Sequence, residues 1–87
     1  MTITMKEVNV MKNTVTTKYA DLKVGDVIFW YGAMVRITDV THMVWRDKPS
    51  TYFTIEPYND ESIQILGNFY SHGRYGGVDF LTVEKVR

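Results

Sequence analysis

Short runs of Val, Ile, Thr, Tyr and Phe, several of them alternating apolar with polar residues, constrain this chain more than any other feature. They fall at 3–11, 26–30, 33–45, 51–57, 62–70 and 78–86. Between them lie turn-rich breaks at Lys23 to Gly25, Tyr31-Gly32, Asp47 to Ser50, Tyr58 to Glu61 and Ser71 to Gly77. A period of two marks a strand with one buried face, and several short strands at such spacing predict a small barrel or sandwich. No window carries a period of 3.6, and only Lys18 to Leu22 could hold a helical turn. Without a crossover helix the strands must pair antiparallel. The expected fold is all-β: a small, open antiparallel barrel of five to six strands with β-bulges.

Eighty-seven residues suffice for one hydrophobic core and no more. Residues 18–87 are expected to form a single β-barrel domain. Residues 1–17 read as an N-terminal arm or edge strand: Ile3 and Met5 alternate with threonines, Val8 and Val10 change phase, and Asn13 to Thr17 is polar.

The hairpin from Asp26 to Thr38 is the best-specified element. A three-residue loop of Trp30, Tyr31 and Gly32 would set Phe29 opposite Ala33, Val27 opposite Val35 and Asp26 opposite Arg36. Gly32 would take the left-handed position such loops need. Ile28 and Met34 would then lie on the hairpin's second face, which the N-terminal arm or a second copy of the chain could cover, and a homo-oligomer is expected. Continued alternation past Ile37 would bury Asp39, at high cost for an unpaired carboxylate. A bulge at Thr38-Asp39 would return Val40 to the core. A phase change between Phe80 and Leu81 predicts a second bulge near Phe80 to Thr82.

Ten Lys and Arg balance ten Asp and Glu, and no segment departs from neutrality by more than three charges. Duplex DNA binding calls for a basic face that is missing here, and a DNA mimic for an acidic excess that is also missing. There is no cysteine, so thiolate metal sites and cysteine nucleophiles are excluded. His42 and His72 stand thirty residues apart with no ligand spacing, and no paired-carboxylate or nucleophile-elbow pattern occurs. The expectation is a non-enzyme with no metal and no cofactor. The longest apolar runs are far short of the roughly 20 residues a membrane span requires. No charged leader precedes an apolar stretch, so a cytoplasmic location is expected.

Three groups of residues are candidates for binding. Gly67 to Gly77 concentrates four glycines with Phe69, Tyr70, His72, Arg74 and Tyr75. Its amides and Arg74 could bracket an anion, and Tyr70 and Tyr75 could stack on a ring. The bland alternative is a flexible connection whose tyrosines cover the barrel end. Trp30 and Tyr31 at the hairpin turn could anchor a partner, or Trp30 could fold back over the barrel. Trp45 and Arg46 could form an aromatic–cation patch, although Trp45 in the core followed by a solvated turn is the simpler reading.

The stretch Leu22-Lys23-Val24-Gly25-Asp26-Val27-Ile28, with Tyr31-Gly32 and Arg36-Ile37-Thr38-Asp39-Val40, resembles the opening hairpin of many SH3-like small barrels. Short bacteriophage-encoded proteins often resemble it too. The likeness covers about twenty residues and contains no functional motif. It implies a binding role, often against a host protein, a host defence system or its nucleotide signal. The expected function is thus a small non-catalytic binding protein that occludes a protein surface or sequesters an anionic small molecule. The alternatives are a single-stranded nucleic-acid-binding barrel and an assembly protein pairing through its edge strands.

Overall fold

A computed structural model describes residues 13–67 and 73–87. Six antiparallel strands form one open sheet: β1 (Thr14–Lys18), β2 (Val27–Trp30), β3 (Ala33–Trp45), β4 (Lys48–Pro57), β5 (Tyr75–Val78) and β6 (Thr82–Val86), in the order β1-β6-β2-β3-β4-β5. A 3-10 turn at Tyr19–Asp21 follows β1, inside the stretch expected to hold one helical turn. A short helix, α1 (Asp60–Leu66), follows β4. The fold is all-β as expected. The proposed strand at 3–11 lies outside the described residues.

The two sheet edges, β1 and β5, are bridged by turns rather than by a ladder. Tyr19 N–H donates to the Leu81 carbonyl at 2.8 Å, just after β1 and just before β6. Inside the curled sheet, Tyr19, Leu22, Ile28, Val35, Ile37, Phe53 and Ile55 are buried together, with Trp30, Val40, Leu66, Tyr75 and Val83 packed around them. Each such side chain contributes roughly 1.5–3 kcal/mol on full burial.

The first hairpin differs from expectation by one residue. Trp30 pairs with Ala33, Phe29 with Met34, Ile28 with Val35 and Val27 with Arg36. The turn is therefore two residues long, with Tyr31 at φ 51° and Gly32 at φ 82°. Positive φ at both positions is the type I′ geometry, whose twist matches that of the flanking strands. Gly32 is left-handed as anticipated, but the one-residue slip turns the side chains of β2 to the other face, while Ala33, Val35 and Ile37 of β3 stay buried. Ile28 and Trp30 consequently face the core in place of Val27 and Phe29. Ile28 is not on a second apolar face awaiting a partner. Asp26 does not oppose Arg36 either. Arg36 meets Glu56 at 3.1 Å, while Asp26 lies 4.0 Å from Lys85.

The register of β3 against β4 shifts between Ile37 and Asp39, which is the expected bulge; Asp39 stays exposed, and Val40 pairs with Phe53 and packs on the core. The second expected bulge is instead a turn. Leu81 N–H donates to the Val78 carbonyl at 3.1 Å, ending β5 before β6 begins. Of the segment 62–70, expected to be a strand, residues 62–66 belong to α1 and 68–70 lie outside the described residues. Asn59 caps α1, its side-chain oxygen accepting from Ser62 N–H at 2.9 Å, and Asp60 and Glu61 occupy the electropositive first turn. Gly76 and Gly77, read as loop, lie in β5 opposite Tyr52 and Thr51. A Cβ on Gly76 would run into the Thr51 carbonyl oxygen, so only glycine lets β5 approach this closely.

Candidate functional site

β3 and β4 are much longer than their neighbours. β2 pairs with β3 from Ala33 to Arg36, and β5 pairs with β4 from Ser50 to Phe53. The remainder of the β3–β4 hairpin, closed by Arg46 and Asp47 at φ 50° and 65°, extends past both. The molecule is correspondingly elongated, 46 × 27 × 19 Å.

This arm exposes three apolar side chains to water beside the charged residues of its turn. Val44 is 68% exposed, Trp45 is 53% exposed and Met43 is also exposed. Trp45 was read as a core residue; it lies at the arm's tip, paired with Lys48 and followed directly by the turn. The Arg46 guanidinium sits 5.5 Å from the Trp45 ring centroid, a cation–π contact that restrains the indole. Asp79 N–H donates to the Pro49 carbonyl at 3.0 Å and so fastens the β5–β6 turn to the arm. That turn adds two more exposed side chains, Phe80 at 68% and Leu81.

A hydrogen-bonded chain braces the arm's root. Buried Thr51 donates through Oγ1 to Asp79 Oδ1 at 2.8 Å, and His42 Nδ1 lies 3.0 Å from the same hydroxyl. Strands β3 and β4 and the β5–β6 turn are thereby joined through three side chains. The apolar tip therefore stands on a fixed base.

The other candidate residues are dispersed. Trp30 belongs to the core, within 6.4 Å of the rings of Tyr19, Tyr31, Phe53 and Tyr75, and its buried Nε1–H has no hydrogen-bond partner among the described residues. Tyr31 is 80% exposed at the β2–β3 turn. Tyr31 and Trp45 flank opposite ends of β3, separated by roughly 40 Å of strand, so they cannot share one small ligand. Arg74 is exposed. Tyr75 was placed outside the core strands; it stands in β5 opposite Phe53, half-buried against Trp30. Tyr70 and His72 lie outside the described residues. Residues missed at the sequence level are Met43, Val44, Phe80 and Leu81, since apolar side chains in strand-like runs read as core.

Among the described residues no cluster of three His, Asp or Glu side chains could hold a metal ion, and no helix is long and apolar enough to cross a membrane. No protein-family model, curated protein or solved structure matches the chain.

Proposed function

We propose that this protein is a non-catalytic binding module that grips a partner protein with the β3–β4 arm and the adjoining β5–β6 turn. The observation that carries this reading is a braced base bearing exposed apolar side chains on both faces of the arm, Met43 and Trp45 on one and Val44 on the other, with exposed Phe80 and Leu81 on the adjoining turn. Exposed apolar anchors beside scattered charges are the usual anatomy of a protein interface. Around them Arg46 and Lys48 are offset by Asp47 and Asp79, which favours a protein over a polyanion. A host enzyme or defence factor is the partner class suggested by the resemblance of the first hairpin to small phage proteins.

Photo-cross-linking from position 45 inside the producing cell, followed by reconstitution with the captured protein, tests this. Trp45→Ala should weaken that complex by 2 kcal/mol or more, the typical magnitude for a central aromatic anchor. Saturable, salt-sensitive quenching of Trp45 by a single-stranded oligonucleotide would favour the nucleic-acid reading instead.

A further inference from the structure

The two long sides of the arm differ. On the β4 side, β5 covers Ser50 to Phe53, Asp79 N–H occupies the Pro49 carbonyl at 3.0 Å, and Pro49 has no N–H to offer. On the β3 side, cover ends at Ile37. Its N–H donates to the Asp26 carbonyl and its carbonyl accepts from Gly25 N–H, each at 2.8 Å. From Thr38 to Trp45 no strand among the described residues pairs with this edge.

The β3–β4 ladder determines which backbone groups the edge presents. Pro49 turns its carbonyl outward to Asp79, so Val44 opposite it belongs to a pair without mutual hydrogen bonds and points its own N–H and C=O away from β4. With a period of two, His42 and Val40 do the same. The backbone groups of these three residues have no partner among the described residues. Beyond the bulge the edge also lacks the usual guards against pairing: it has no proline, lysine or glycine, and its one full charge is Asp39.

Run antiparallel to itself about a two-fold axis at His42, this edge is self-complementary. Val40 meets the second copy's Val44, His42 meets His42, and each such pair exchanges two backbone bonds, which satisfies every bare group. On the other face Thr41 meets the second copy's Met43, and Asp39 meets its Trp45. Asp39 is exposed with no ion-pair partner among the described residues, and the second copy's Arg46 falls beside it, a contact that symmetry repeats. An axis at Thr41 would instead set Arg46 against Arg36, and an axis at Met43 would set Asp39 against Asp47. Like charges directly opposite are unfavourable, so the charges select the axis at His42.

We infer that two copies of this chain associate through β3 in that register, joining their six-stranded sheets into one. The edge lies across the arm from the β5–β6 turn, so Phe80 and Leu81 stay open to a partner protein and neither reading rests on the other.

Sedimentation velocity of the full chain over a concentration series tests the inference, and should show a transition from the mass of one chain to that of two. Val44→Pro withdraws an outward N–H, leaves the β3–β4 ladder intact and should weaken the dimer about tenfold to a hundredfold. Val44→Lys adds the charge that ordinarily guards an edge and should weaken it comparably. Val44 is 68% exposed, so the lysine variant decides the matter even where the proline variant fails to fold. Phe80→Ala should leave the dimer unchanged. In a mixture of labelled and unlabelled chains, the Thr41 and Met43 Hα protons of different copies should show a mutual nuclear Overhauser effect, because they form a close pair without hydrogen bonds. A single-chain mass at every concentration would overturn the dimer, whether or not a partner protein binds the arm. A dimer that survives Val44→Lys would overturn the β3 edge, and one without the Thr41–Met43 contact would overturn the register.

Discussion

Thr51 has one hydroxyl proton, and in the chain at the arm's root that proton goes to Asp79. An ionised carboxylate can only accept, so the Thr51 oxygen must in turn receive the proton of His42 Nδ1. His42 is therefore held with Nδ1 protonated, and in the neutral ring Nε2 carries the lone pair. Nitrogen chemical shifts of neutral His42 should report this tautomer in the wild type and lose the preference in Thr51→Val. The same substitution should destabilise the fold by roughly 1–3 kcal/mol, since it strips a fully buried site of two hydrogen bonds. A wild-type His42 protonated at Nε2 would refute the chain. At this scale the sequence was informative about Gly32 and poor about the tyrosine before it. Gly32 is left-handed in either turn length. Tyr31 in the same region goes against the ordinary steric preference of a residue with a Cβ, so only the backbone reveals it.

The helix α1 depends on its cap more than most helices do, because seven residues are too few to form a helix unaided. Asn59 Oδ1 receives both the backbone N–H and the hydroxyl of Ser62, each at 2.9 Å. Asn59→Ala should cost about 1 kcal/mol, read as a lower urea midpoint at unchanged slope. An unchanged midpoint would show that packing of Leu66 on the core, not the cap, holds the helix. This element was misread because Ile63 and Ile65 alternate as strand residues do, yet both are exposed while Ser62 and Leu66, one turn apart, face inward. Fewer than two turns give a 3.6 period no room to show. The bulge after Ile37 was legible, because burying Asp39 has an evident cost. The register of the first hairpin was not. Val27 and Phe29 compete with Ile28 and Trp30 for the inside, so hydrophobicity alone cannot choose. The arm's role was hidden for a related reason, since Met43, Val44 and Trp45 look like one more buried strand until its neighbours prove too short to cover it.

Across the whole molecule, the β3–β4 arm reaches past the short strands that flank it. Tyr19 ties the far side together: its backbone bonds to Leu81, and its ring meets Phe53 edge-on at 5.6 Å. Burial pushes its phenol above the ordinary value of 10.0, with Tyr31 adding to the effect. The unfolded chain therefore loses this proton first. Global stability should be unaffected by this group below pH 10.0 and fall as pH rises beyond it. Urea midpoints should show that alkaline decline in the wild type and a smaller one in Tyr19→Phe; equal declines would rule it out. The pairing of β1 with β6 has a different consequence, for the order of events during synthesis. Thr14 and Thr16 must wait for Glu84, some 70 residues later, before their hydroxyls find its carboxylate. At about 5–20 residues per second, the edges of β1 and β2 that pair with β6 wait several seconds for it while the β2–β3–β4 meander is free to form. Throughout that interval neighbouring chains on the same message compete with β6 for those edges, so the last strand sets how crowded translation can become before this protein aggregates.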